Sequence, residues 1–354
     1  LSQDLPLPAR RKLRTARAVA EASGAAADFR STLLDLLTVA SQLYDDDYLA
    51  TRSLAVVAQH RALLTELQRV ATARYAAGLA PQQDPLQAEL EGAMMLHRQV
   101  ELEAERERIE SRLGALLHLP EDYPLPPPAS ELPFPNTVPD FRALAPSALA
   151  SRPEVAARVS EVQAQRASVA LARLASTPDL SLRGSYDSMW DERGYRWMAG
   201  IAVNLPVRHE RLASQQAEAE ARLARAQAEL AATEDRIRAE VRSAVVELQE
   251  AHHLLAIFAS RMLPAARDQV QAARSGYETG RGSFLGVIDA ERSLRDVELG
   301  QAQAVADFYR KQADLDRAVG RLPEGLPPTL LEPATALPSA LPNPLDNARK
   351  GGSR

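Results

Sequence analysis

Between residues 179 and 207 apolar and polar side chains alternate one by one, unlike the helical patterns that fill most of the chain. Leu180, Leu182, Tyr186 and Trp190 take turns with Ser181, Arg183, Ser185 and Asp187. Beyond the turn residues Asp191, Glu192, Arg193 and Gly194, a second run sets Tyr195, Trp197, Ala199, Ile201, Val203 and Leu205 against Arg196, Gly200 and Asn204. Each run reaches the roughly 10 residues that a tilted strand needs to cross a bilayer. The pattern predicts a transmembrane β-hairpin whose Tyr186, Trp190, Tyr195 and Trp197 form an aromatic girdle at the membrane interface. A half-buried strand of a soluble sheet has the same period, but no second clear strand pair exists to complete such a sheet. Two strands alone leave open edges, so the hairpin is expected to close a sheet with strands from elsewhere, most simply from other copies of the chain.

The rest of the pattern predicts helices of unusual length. No proline interrupts residues 9–80, and residues 209–275 meet only Pro264. At 1.5 Å per residue each helix would extend ~100 Å. Leu223, Leu230, Ile237 and Ala244 lie on one heptad track, and Val241, Leu248, Leu255 and Met262 on another, as in coiled-coil seams. Pro264 is expected to kink or slightly unwind its helix. The chain turns at Gly78 and Gly280 and returns as helices over residues 84–117 and 284–319.

These elements occur twice. Leu5-Pro6, Tyr75-Ala76-Ala77-Gly78, Leu86-Gln87-Ala88-Glu89 and Leu119-Pro120-Glu121 are echoed in order by Leu205-Pro206, Tyr277-Glu278-Thr279-Gly280, Ile288-Asp289-Ala290-Glu291 and Leu322-Pro323-Glu324. The offset drifts only from 200 (5 to 205) to 203 (119 to 322), so the chain reads as a duplication. The predicted organisation is a first repeat over 1–121, a proline-rich connector over 122–150 in extended form, a helix over 151–178, the hairpin over 179–207, a second repeat over 208–325 and a disordered proline-rich tail over 326–354. Because a helix and hairpin precede the second repeat, the same pair is expected upstream of residue 1.

Composition narrows the function. Of 354 residues 45% are hydrophobic but only 5% aromatic, which suits long helices better than a large aromatic core. A net charge of −5, with both signs interspersed, gives no basic footprint for nucleic acid. Without cysteine there is neither disulfide nor thiolate chemistry. No run of about 18 apolar residues predicts a transmembrane helix.

The duplicated Tyr-x-x-Gly turn with its Leu/Ile-x-Ala-Glu sequel, Pro178-Asp179-Leu180 entering a hairpin that ends Val203-Asn204-Leu205-Pro206, and Arg152-Pro153-Glu154 before the middle helix together resemble the TolC-like outer-membrane efflux family. Gln3-Asp4-Leu5-Pro6-Leu7-Pro8 is similar to its heavy-metal branch. The resemblance covers about residues 1–325. It implies a mainly α fold with a transmembrane β-hairpin, assembled as a homotrimer whose β-barrel lies in the outer membrane of a Gram-negative bacterium and whose α-barrel crosses the periplasm. It implies a passive export duct for small molecules or metal cations, served by a periplasmic adaptor and an inner-membrane pump. Family members supply four strands per protomer, whereas this chain offers one hairpin and the stub at residues 1–5.

The family's adaptor-docking turns map onto Tyr75, Gly78 and Leu79 and onto Tyr277, Gly280, Arg281 and Ser283; helix capping alone also accounts for the glycines. Asp84, Glu89, Asp289 and Glu291 follow the turns. Facing a lumen with three-fold symmetry, such carboxylates would form rings that favour cations; a solvated outer face is the plainer expectation. Asp45, Asp46 and Asp47 fan ~100° apart on a helix and are expected to be solvated. His60, His97, His118, His209, His252 and His253 have no metal-binding spacing and are expected to be solvated or interfacial. Met94-Met95 reads as packing. No nucleophile has a matching base, no phosphate loop appears, and neither enzyme activity nor a cofactor or metal is expected. A soluble coiled-coil scaffold explains the heptads but not the aromatic placement or the duplicated turns.

Overall fold

The computed structural model describes residues 2–120, 123–133, 137–186, 197–204 and 209–322. In chain order these form β1 (Ser2–Leu5), α1 (Pro8–Ala76), α2 (Gln83–Leu116), α3 (Phe141–Ser151), α4 (Pro153–Leu174), β2 (Asp179–Tyr186), β3 (Trp197–Asn204) and α5 (His209–Ile257). A π-helical turn over Phe258–Met262 then leads into α6 (Leu263–Glu278) and α7 (Phe284–Val319). The chain divides into two compact units: Leu1–Leu33 with Pro153–Glu234 and Leu322–Arg354, and Leu34–Arg152 with Asp235–Arg321.

The first unit holds the sheet. Its strands run antiparallel in the order β1-β2-β3, so the stub that opens the first repeat is a paired strand. Leu180 lies opposite Val203 and Leu182 opposite Ile201, which gathers the apolar positions of both strands on one face. All four side chains are exposed. Ser181, Arg183 and Ser185 share the other face with Ala202, Gly200 and Met198. Where this sheet meets the helices, the buried Arg10 of α1 pairs with the carboxylate of Asp179 and donates to the carbonyl of Leu174 at 2.6 Å, capping the last turn of α4.

The second unit is a helical bundle with α7 among its partners. Val57, Leu64 and Ala71 of α1 and Ala88, Met95 and Leu102 of α2 repeat at heptad spacing and join Phe284, Val287 and Ile288 of α7 in one core. Val241, Leu248 and Leu255 continue such a seam on α5, each no more than 2% exposed. The expected next member, Met262, is 40% exposed; the seam resumes at Leu263, Val270 and Tyr277. The step from 255 to 263 is eight residues because the π-turn inserts one extra position. Pro264 sits in the first turn of α6, so the expected unwinding is real and its consequence is a one-residue shift of the buried face.

Two further expectations are corrected. The proline-rich connector is not extended throughout: Phe141–Ser151 is helical, with Pro146 inside it and the side chain of Asp140 accepting from the backbone N–H of Arg142 at 3.2 Å. Asp45 and Asp47 are buried rather than solvated. Their angular spread sends each carboxylate to a different neighbour: Asp46 pairs with Arg310, Asp47 with Arg106 at 3.2 Å, and Asp45 lies near Tyr309, whose phenol is pushed up by burial with the Asp45 charge adding to the rise. Of the two expectations for the histidines, His60 meets the interfacial one: it is only 4% exposed and bonds Glu298 at 2.9 Å, joining α1 to α7. The expected hairpin turn with Trp190 and Tyr195, and the tail over 326–354, lie outside the described residues.

Candidate functional site

The two glycine turns have one construction. At the first, Gly78 donates to the carbonyl of Tyr75 at 2.9 Å and Leu79 to that of Arg74 at 2.8 Å. At the second, Gly280 donates to Tyr277 at 3.1 Å and Arg281 to Gly276 at 2.9 Å. These paired bonds satisfy the last helical carbonyls and require a left-handed residue, which the glycines supply at φ 71° and 73°. The side chain of Ser283 then accepts from the backbone N–H of Gly286 at 3.1 Å and starts α7.

The turns differ in what they show to solvent. Tyr75 is 45% exposed and Leu79 71%, and Arg281 and Ser283 are exposed as well. Tyr277 is buried. Its ring stacks edge-on against Phe284 with centroids 5.5 Å apart, and the guanidinium of Arg74 lies 4.5 Å from its centroid. Arg74 also donates to the Tyr277 carbonyl at 3.4 Å, so one side chain ties the end of α1 to the end of α6. Burial raises the Tyr277 phenol's pKa, with Arg74 acting against it and Asp84 adding to it.

The four candidate carboxylates separate into two kinds. Asp84 is buried, and this pushes its pKa up, with the Arg74 charge opposing. Glu291 is 3% exposed and accepts from Arg274 at 2.8 and 2.5 Å, with His60 Nδ1 at 3.9 Å. Glu89 and Asp289 are exposed, although Asp289 accepts from Arg292 at 3.1 Å. The structure thus places Asp84 and Glu291 inside the bundle and leaves Glu89 and Asp289 on its surface. The heptad pattern could have indicated this, because Glu291 lies three positions beyond the buried Ile288.

Of the expected aromatic girdle, Tyr186 is exposed at the end of β2 and lies opposite Trp197 in β3. Sequence reasoning missed Glu91, which is 1% exposed and paired with Arg292 across α2 and α7. It also missed the role of Arg152. This side chain is 1% exposed; it donates to the carbonyl of Ala318 at 3.1 Å and to Glu240 at 3.0 Å, closing the C-terminal end of α7. The position before Pro153 was the available signal. Among the described residues no helix is long and apolar enough to cross a membrane, and no cluster of three or more acidic or histidine side chains could hold a metal ion.

Residues 144–321, just over half of the chain, match the family described as outer membrane efflux protein. The cobalt-zinc-cadmium resistance protein CzcC of Cupriavidus metallidurans is 26% identical over 175 residues, which are 49% of this chain and 41% of the relative. The chain therefore spans less than half the length of that relative. Among solved structures, CusC superposes with a TM-score of 0.77 at 19% identity, over 91% of this chain and 76% of the other. The open-state MtrE outer membrane channel of Neisseria gonorrhoeae gives 0.76 at 18% identity, over 90% and 74%.

Proposed function

The chain belongs to the outer membrane efflux protein family, and from that premise we propose that it is the outer-membrane duct of a tripartite export system. The observation that carries this reading is the sheet beside the helical repeats. Leu180, Leu182, Ile201 and Val203 are exposed on one face of an antiparallel sheet whose other face carries Ser181, Arg183 and Ser185, the arrangement a barrel strand needs between lipid and water. β1, β2 and β3 alone cannot close a cylinder; three copies of the protein complete one barrel. The helices continue the passage through the periplasm as an α-barrel. Transport is passive, driven by the partner pump, and involves no bond chemistry.

The exposed ends of the helical turns are the surface for the periplasmic adaptor. Leu79, Leu86 and Leu285 present apolar area beside Tyr75, Arg281 and Ser283, a mixture suited to a protein partner. Gly78 and Gly280 shape these turns. Tyr277, Asp84 and Glu291 support them from inside. Glu89 and Asp289, repeated around a three-fold axis, are the carboxylates that select cations. The likeness to a protein named for cobalt, zinc and cadmium resistance favours metal cations as cargo over bulky organic solutes.

Chemical crosslinking of the native protein to its adaptor tests the docking surface. Leu79→Asp and Arg281→Glu together should abolish the crosslink while leaving the helical signal intact. An unchanged crosslink would remove the turns from the adaptor interface.

A further inference from the structure

The start of α1 carries charge of one sign. Residues 10–17 hold Arg10, Arg11, Lys12, Arg14 and Arg17, and no acid lies between Asp4 and Glu21, although the chain as a whole intersperses both signs. Two of these cations are engaged by neighbours: Arg10 is buried against Asp179, and Arg17 bonds Glu21 at 2.7 Å. Arg11, Lys12 and Arg14 are exposed and form no ion pair among the described residues. They fan over ~160° of the helix, on the side away from the buried Ala20 and Ala27.

Nothing within the helix accounts for these three. The positive end of the helix dipole lies here, so cations in the first turns weaken α1, and neighbouring like charges repel. The second repeat does not keep the cluster: α5 opens His209-Glu210-Arg211-Leu212, with an acid beside its arginine.

Their place beside the sheet does account for them. β1 ends at Leu5, which pairs with Leu180 at the helical end of the exposed apolar face, and Leu7, between strand and helix, is 36% exposed. Counted along α1 from Pro8, Arg11 lies ~4.5 Å and Arg14 ~9 Å into the helix. The headgroup layer is about 5–8 Å thick on each side of the hydrocarbon, and lysine and arginine stems reach several Å further. An apolar strand face, an exposed leucine and then three free cations follow the order of a membrane-interface anchor.

We propose that Arg11, Lys12 and Arg14 bind the headgroups of anionic phospholipids in the leaflet on the helical side, seating the base of the sheet at a fixed depth. This rests on the sheet being the membrane-spanning part, as proposed above. Charge complementarity selects the partner: phosphatidylcholine offers the same phosphate but cancels it with its own ammonium, whereas phosphatidylglycerol leaves it unbalanced.

Electron paramagnetic resonance of spin-labelled lipids tests this, with the native full-length protein reconstituted in phosphatidylcholine bilayers. Labelled phosphatidylglycerol is expected at the protein surface about threefold in excess of labelled phosphatidylcholine at low salt, and the excess should vanish in about 1 M salt. Arg11→Gln, Lys12→Gln and Arg14→Gln together should abolish the preference while the number of lipids held and the helicity stay unchanged. Arg30→Gln, which removes an exposed cation ~33 Å along the same helix, should change nothing. No preference between the two lipids in the native protein, or the same preference in the triple variant, would overturn the proposal and leave the membrane role of the sheet standing. If neither lipid is held at the protein surface, the membrane reading itself falls, and this proposal with it.

Discussion

His118 and Gly320 hold the same left-handed cap in the two repeats, 202 positions apart (320 − 118), at φ 53° and 75°. Each donates to the carbonyl three residues back, and the residue after each donates five residues back: Leu119 to Gly114 at 2.9 Å and Arg321 to Asp316 at 2.8 Å. The histidine bears a backbone strain that the glycine does not. His118→Gly should therefore stabilise the protein by about 1 kcal/mol in chemical denaturation. Gly320→Ala should cost about 2 kcal/mol or more, because a Cβ there would also meet the backbone of Arg152 at 3.2 Å.

The Arg74 clasp on Tyr277 makes a prediction about local opening. Arg74→Met removes the cation–π contact and the bond to the Tyr277 carbonyl, together worth on the order of 1–2 kcal/mol. Amide exchange at Leu79 and Arg281 should accelerate about tenfold, while exchange in the core around Val57 stays unchanged. The substitution also removes the charge that opposes burial at Asp84, so the pKa of that carboxyl should rise further, measurable by carboxyl-carbon NMR.

Glu91 is held in the bundle by Arg292. Arg292→Met strands a carboxylate that is 1% exposed and should cost about 3 kcal/mol in thermal or denaturant unfolding. Adding Glu91→Gln in that background should restore most of the loss, since the buried charge is then gone. Equal instability of the single and double variants would contradict this.

Asp45 gives the bundle a pH dependence. Burial pushes its carboxyl up to about 7 against the pull of Arg310, with Asp46 adding to the rise. The folded state then binds a proton that the unfolded chain, titrating near 3.8, has released, so this group's contribution to stability falls as pH rises from about 4 to about 7. Asp45→Asn mimics the protonated form. It should raise stability at pH 8 by roughly 1–2 kcal/mol and change it little at pH 4.

Local pattern made much of this fold legible. The alternation around Leu180 and Ile201 marked both strands, and the Tyr-x-x-Gly repeats marked both turns. The first strand was underread because four residues carry too little alternation to distinguish a strand from a stub; its register with β2 is a long-range fact. The exposure of Met262 was hidden because a π-turn is set by packing on either side of Pro264, and no heptad count reveals an inserted residue. Of the candidate site residues, Tyr75 and Leu79 are exposed at the first turn. Tyr277 and Glu291 look equivalent to Tyr75 and Glu89 in sequence, yet Phe284, Arg74 and Arg274 draw them inward. Arg152 and Glu91 were overlooked because their partners, Glu240 and Arg292, are distant in the chain.

Single-channel recording tests the central claim most directly. The native full-length protein, purified in detergent, sized by light scattering and inserted into planar bilayers, should be a trimer that gives discrete conductance steps favouring cations, with Glu89→Gln and Asp289→Asn together reducing that preference. A soluble monomer or dimer that leaves the bilayer silent would contradict the duct and return the molecule to the class of coiled-coil scaffolds.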